Sequence, residues 1–337
     1  MSITAKELAK LLNLSEAAVS MALNHKPGVS TQTRKKVIEA AKEHDFDFSK
    51  IKETSLSTSP HGMIQFIIYR KNGAVVSDTP FFSQLSEGID AGCKEACYYL
   101  NISYLYEEDD IPAKVSEMVR LGCRGILLLG TEMAEEDFKP FLNLPVPVVV
   151  VDTCFENRST DCVIIDNVQG AFFAANYLIR KRKTQPGYLK SSYPIKNFEQ
   201  RSDGFYQAVR KNGMSVSNSK VHKLSPSMDG SYADMAAILK QGETPADCYF
   251  ADNDLIAAGA IKALKEYGYR VPQDVAVIGF DNMPLCTFLD PPLTTIHVPK
   301  QYMGMMAAKR MAELIHTKSS YPVKVEISTT LVLRKST

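Results

Sequence analysis

Between residues 14 and 37 the chain reads LSEAAVSMALNHKPGVSTQTRKKV, and its side chains suit one kind of chemistry, the holding of a polyanion. Residues 1–37 carry Lys6, Lys10, Lys26, Arg34, Lys35 and Lys36 against Glu7 and Glu16 alone, while the whole 337-residue chain has a formal net charge of +1. Cations gathered on one short unit of an otherwise balanced chain point to a local electrostatic partner.

Other chemistries lack their residues. The seven cysteines form no Cys-x-x-Cys pair and no Cys/His cluster at zinc spacing, which fits reduced thiols rather than a disulfide framework or a metal site. Cys93 and Cys97 stand at i, i+4 spacing and are expected to be two buried thiols on one helix. No glycine-rich phosphate loop of either common pattern occurs, and His-Glu-x-x-His and Gly-x-Ser-x-Gly are missing as well. No cofactor, no metal and no catalytic set is therefore expected, and His222 and His297 are read as structural. The first residues, Met-Ser-Ile-Thr-Ala-Lys, contain no apolar export segment and no stretch is long enough to span a bilayer, so a cytoplasmic protein without membrane contact is expected.

Three short helices must position the basic residues. Thr4-Ala-Lys-Glu7 is a capping box that starts a helix over about residues 5–12. Asn13 tolerates the left-handed turn that follows, and Ser15 caps a second helix reaching about Leu23. Pro27-Gly28 interrupts, and Ser30 caps a third helix through about Glu43. Two helices of about eight and nine residues joined by a three-residue turn have the form of a helix-turn-helix, whose second helix enters the DNA major groove; a three-helix bundle with another role is the competing reading. Residues 45–62, DFDFSKIKETSLSTSPHG, lose this periodicity and read as a linker. From Met63 onward about ten short runs such as MIQFIIY, GILLLG, VPVVVVD and VAVIGFD alternate with amphipathic stretches, the pattern of parallel sheets covered on both faces. That number of strands predicts two α/β lobes with a ligand cleft between them, and VKVEISTTLVLR supplies one or two strands to tie them together.

The stretch ITAKELAKLLNLSEAAVSMALNHKPGVSTQTRKKVIEAAKE resembles the N-terminal domain of the LacI/GalR family of bacterial transcription repressors over about 40 contiguous residues. The resemblance implies phosphate anchoring by Thr4, Ser15, Ser20, Asn24, Ser30 and Thr33, which fixes register without reading sequence. It implies base reading by Glu16, Ala17 and Met21. Here the chain departs from the pattern, with Met21 in place of the usual Arg and Ala18 in place of the usual Thr. Met and Ala meet a thymine methyl and Glu16 accepts from a cytosine amino group, so the operator should differ from the family's commonest half-site. The family's hinge helix, whose leucine wedges into the minor groove, corresponds to residues 46–56. The Pro, Asn and Arg of that pattern are missing, five acidic residues fall between 39 and 53, and Leu56 stands as the wedge one position out of step.

DTPFFSQLSEGID, NFEQRSDGF, FADNDLIAAGAIKALKEYGYRVPQDVAVIGFDN and PPLTTI are similar to further patterns of the same family. They imply a periplasmic-binding-protein-like core with the effector between its lobes, a side-by-side homodimer, and a lobe rotation that reaches the DNA-binding heads. Effector contacts are thereby assigned to Phe81, Phe82, Asp152, Arg201, Asn253 and Asp281. An aromatic face suits the C–H side of a sugar, and Arg201 offers a planar fork for two adjacent hydroxyls. Asp152, Asn253 and Asp281 follow strand-like runs, whose carboxyl ends face the crevice, while Asp254 is expected to serve as a helix cap.

The expected fold is thus an N-terminal all-α helix-turn-helix domain (1–48), a linker or hinge (49–62) and an α/β periplasmic-binding-protein-like core of two doubly wound lobes (63–337). Lobe one is placed at about 63–164 and 295–322, lobe two at about 165–294 and 323–337. The expected partners are double-stranded operator DNA, a second copy of the chain and a small effector, a sugar foremost, with a purine or nucleoside as the alternative and a sugar-processing α/β enzyme as a third reading.

Overall fold

The computed structural model describes residues 3–23, 29–44, 46, 61–76, 80–317 and 321–337, which belong to two compact units, Met1–Pro60 and His61–Thr337. Asn24, Leu56 and nearly all of the expected hinge lie outside the described residues.

The first unit contains helices α1 (Ala5–Leu12), α2 (Glu16–Leu23) and α3 (Thr31–Glu43). The capping box forms as its spacing requires: the Glu7 amide donates to the Thr4 hydroxyl at 3.3 Å and the Thr4 amide donates to Glu7 Oε2 at 2.8 Å. Asn13 takes the left-handed conformation (φ 54°) that ends α1. Ser15 and Ser30 accept from the amides of Ala18 and Thr33, each at 3.1 Å. Leu8, Val19, Ala22, Leu23, Val37 and Ala41 bury together, so this unit has a core of its own.

The second unit runs β1 (Met63–Arg70), α4 (Pro80–Glu95), β2 (Tyr99–Tyr106), α5 (Ile111–Arg120), β3 (Cys123–Leu129), β4 (Val148–Val151), β5 (Asp161–Ile165), α6 (Asn167–Arg182), β6 (Gly187–Ser191), α7 (Lys196–Lys211), β7 (Val221–Leu224), α8 (Met228–Lys240), β8 (Cys248–Ala251), α9 (Asp254–Glu266), β9 (Ala276–Asp281), β10 (Thr294–His297), α10 (Lys300–His316), β11 (Lys324–Ile327) and β12 (Thr330–Val332). Its strands make two six-stranded sheets, ordered β2-β1-β3-β4-β5-β11 and β7-β6-β8-β9-β10-β12. All pairs are parallel except β10 with β12. Parallel strands are covered on both faces, which is why β9 and nearly all of β1 are buried along their length.

The lobe boundaries differ from those expected. Strand β10 joins the second sheet, pairing from Thr294↔Ile278 to His297↔Asp281, and β11 joins the first, pairing from Lys324↔Cys162 to Ile327↔Ile165. Lobe one therefore contains β1 to β5, α10 and β11, and lobe two contains α6 to β10 and β12. The chain passes between lobes three times, after Ile165, after His297 and after Ile327. Both misplaced strands are four-residue pieces of ordinary strand composition, and only the free sheet edge available to each decides its lobe. Cys97 also departs from expectation: it lies past the end of α4 at φ 59° and is only partly buried, whereas Cys93 is buried within the helix.

Candidate functional site

The carboxyl ends of the strands meet at a cavity of about 70 Å³. Lobe one contributes Val75, Phe81, Phe82, Thr131 and Asp152, and lobe two contributes Asn197, Phe198, Arg201, Asn253 and Asp281 among others. All six residues assigned to an effector from sequence thus line one cavity.

Asp152 follows β4 directly and holds φ 69°, and Asp281 closes β9 at φ 106°. A non-glycine residue in the left-handed region is strained and persists where its surroundings fix it. Here the strain turns both carboxylates off the strand ends into the crevice. Asp152 Oδ2 accepts from the Thr131 hydroxyl at 2.6 Å. Its Oδ1 is fully buried and has no hydrogen-bond partner among the described residues; the Asn197 amide of lobe two lies within reach of the carboxylate but closes no bond on that oxygen. Burial raises the Asp152 carboxyl to about 6, against the opposing pull of Thr131 and the Arg201 charge. Burial also raises Asp281, opposed by Arg201 and Lys300.

Arg201, only 3% exposed, is held on every side. Its Nε donates to Asn167 Oδ1 at 2.9 Å, one terminal nitrogen donates to the Asp252 carbonyl and the other lies 3.4 Å from Asp281 Oδ1. The guanidinium carbon sits 3.8 Å from the Phe280 ring centroid. The Arg201–Asp281 pair lies within lobe two and does not bridge the lobes. Lys300, buried in the same region, donates to the Asp281 carbonyl. Phe81 and Phe82 meet edge to face, 5.0 Å between centroids at 66°, and form the apolar wall. Asn253, not Asp254, caps α9, accepting from the Ile256 amide at 2.8 Å. Asp254 is the first helical residue and is fully buried, accepting from the Met283 amide at 2.7 Å and from the Thr295 hydroxyl.

Thr131 and Asn197 were missed in the sequence. Thr131 shortly follows β3, the same position that singled out Asp152, and Asn197 stands one helical turn before Arg201 on α7, which places the two on one face. Of the two histidines read as structural, His222 lies 3.0 Å from the Tyr249 hydroxyl and His297 lies 3.1 Å from the Asn282 amide.

In the helical unit, Glu16, Ala17 and Ser20 occupy the exposed face of α2 with Met21 half-buried beside them, opposite Val19, Ala22 and Leu23. Thr4, Ser15, Ser30 and Thr33 gather at helix starts, where free amides and the positive end of the helix dipole favour an anion. Among the described residues no group of three or more His, Cys, Asp or Glu side chains could hold a metal, and no helix is long and apolar enough to cross a membrane.

Fold and cavity together define a class: a two-lobed ligand-binding α/β core whose chain also carries a small helix-turn-helix unit. Residues 4–47 match the model for bacterial regulatory proteins of the lacI family, and residues 175–337 match that for a periplasmic binding protein-like domain. The chain thus carries a helix-turn-helix domain of the lacI family of bacterial regulatory proteins and a periplasmic-binding-protein-like domain. A relative from Pasteurella multocida, the HTH-type transcriptional repressor PurR, is 28% identical over 99% of this chain and 98% of its own. The solved complex of the transcriptional regulator CelR with cellobiose matches with a TM-score of 0.74 at 22% identity, covering 99% of this chain and all of that one. The lac repressor dimer bound to operator and the anti-inducer ONPF matches at 0.69 and 20% identity, covering 100% and 99%. The likeness to these solved structures establishes the fold.

Proposed function

We propose that this protein is a transcriptional repressor of the bacterial cytoplasm whose operator affinity is set by a neutral sugar bound between the core lobes. The observation that carries the effector half is the Asp152 carboxylate in the cavity wall, whose buried Oδ1 has no hydrogen-bond partner among the described residues, beside the aromatic Phe81 and Phe82 of the same lobe. A buried acceptor without a donor costs about 1–3 kcal/mol, and a polyol hydroxyl supplies that donor while its C–H face lies on Phe81 and Phe82. The cavity walls also carry more carboxylate than cation, which disfavours a phosphorylated ligand. The repressors named PurR keep a purine or nucleoside as the second reading. Against it stands the edge-to-face setting of Phe81 and Phe82, which do not offer two parallel faces to a flat base.

Glu16, Ala17 and Met21 read base edges in this proposal, while Thr4, Ser15, Ser20, Asn24, Ser30 and Thr33 hold phosphates. A homodimer presents two heads to two half-sites. Its core contact is placed on the outer edge strand β2, where Tyr99, Ile102, Tyr104 and Tyr106 are exposed and an uncovered edge would otherwise invite unspecific pairing.

Thermal unfolding of residues 61–337 against sugars, sugar phosphates, nucleosides and purines tests the effector. A ligand at about 100 times its dissociation constant adds roughly 2.7 kcal/mol and moves the midpoint by several degrees. A shift with neutral sugars alone supports this reading; a shift with purines alone replaces it. Operator affinity should fall with a log–log salt slope of about −0.9 per neutralised phosphate, and a flat salt response would remove the DNA half.

A further inference from the structure

Strands β1 and β3 lie side by side with Ile68 opposite Leu129, so the segments that leave their carboxyl ends, 71–76 and 130–134, must run next to each other. The first makes no regular structure, yet every one of its six backbone amides is satisfied, and five of them by a single side chain. The amides of Lys71, Asn72 and Gly73 donate to Glu132 Oε2 at 2.9, 3.2 and 3.0 Å, and those of Val75 and Val76 donate to Oε1 at 2.7 and 2.8 Å. The sixth, Ala74, donates to Asn72 Oδ1 at 2.8 Å. Converging amides of this kind form a nest for an anion, and here the anion is part of the chain. Glu132 is 5% exposed and enters no ion pair among the described residues; Lys71 beside it turns to Asp137 and Glu107, at 3.2 and 3.3 Å. The buried charge is compensated by backbone dipoles.

The ordered loop has a second property: Ala74 and Val75 are part of the cavity wall on the side of Phe81 and Phe82. We propose that Glu132 is a positioning residue of the cavity, a built-in anion whose carboxylate fixes loop 71–76 and so sets the lobe-one wall against which the ligand closes. This rests on reading the cavity as the effector site. It adds a residue about 60 positions from the loop that touches no ligand and yet governs its fit.

Hydrogen–deuterium exchange of the full chain, followed on peptides spanning 71–76, tests the anion role without any knowledge of the effector. In Glu132→Ala these amides should exchange at least about tenfold faster than in the wild type, while peptides of β3 and β4 keep their protection. Acetate, but not chloride at equal ionic strength, should restore the protection by refilling the nest. Unchanged protection in Glu132→Ala, or acetate and chloride acting alike, overturns the proposal. Should the alanine variant fail to fold, Glu132→Gln keeps the volume and one acceptor oxygen but turns an amide group toward the remaining donors. Intermediate exchange is then expected, and wild-type exchange overturns it. In the panel of neutral sugars, the largest midpoint shift of the wild type should at least halve in the variant; an undiminished shift alongside a freed loop refutes the positioning role. If no sugar shifts the wild type, the sugar reading fails while the exchange measurement still decides the role of Glu132.

Discussion

Asp152 presents a buried carboxylate whose protonation and whose ligand compete. Burial raises it to about 6, and a hydroxyl donating to Oδ1 favours the charged form. Sugar affinity should therefore be full above about pH 7 and fall as the pH drops through about 6, with Asp152→Asn removing the slope. Calorimetric titration at several pH values checks this, and a wild-type profile without slope contradicts it. The sign for stability is opposite: with a folded value above the ordinary 3.8, the group destabilises the core at high pH, and that cost fades as the pH falls toward 4. Arg201 is tied to Asn167, Asp252 and Asp281 as well as facing the cavity. Arg201→Ala should thus abolish the effector response and also cost about 3 kcal/mol of core stability, because Asp281 is left buried without its hydrogen-bonded cation and with Lys300 alone beside it. Urea unfolding separates the two effects, and a variant as stable as the wild type would show Arg201 to be a ligand contact alone.

Helices were legible from sequence where single residues decide them. Thr4 with Glu7, Asn13, Ser15 and Ser30 each occupy the position their side-chain chemistry dictates, and Asp152, Asn253 and Asp281 meet because strand ends in parallel sheets face one crevice, which Phe81 and Phe82 of α4 and Arg201 of α7 also line. What could not be read depends on contacts between distant residues. Nothing near Glu132 announces that its carboxylate gathers amides of loop 71–76, and nothing within TTIH or KVEI marks which sheet either strand completes. The cap of α9 was expected at Asp254 and falls on Asn253, because both types cap helices and the start of α9 differs by one residue. At this scale Thr4→Ala should destabilise the helical unit by about 1 kcal/mol, seen as a lower unfolding midpoint of residues 1–60. Helices α4 and α10 pack so closely that a Cβ on Gly88 would lie 2.0 Å from the Gln301 carbonyl oxygen. Gly88→Ala should force the pair apart and cost about 1–3 kcal/mol of core stability.

Across the whole core unit, closure of the lobes is assisted at the cleft mouth by Lys196 of lobe two, whose Nζ lies 2.5 Å from Glu156 Oε1 of lobe one. Both side chains are substantially exposed, so the pair is worth no more than about 1 kcal/mol. Glu156→Gln should accordingly weaken sugar binding by less than about fivefold, far less than loss of the Asp152 charge; a larger effect would make the ion pair the main latch. The three passages of chain between the lobes carry a consequence for synthesis. Neither lobe is a continuous stretch: the first lacks an edge strand until Ile327 has been made, and the second until Val332. The helical unit ends at Pro60, about 270 residues earlier, a delay of roughly 15–55 s at bacterial-like elongation rates. For that interval a nascent chain would carry a finished DNA-binding head and two unfinished halves of its sensor, so operator contact can begin before any ligand can be sensed.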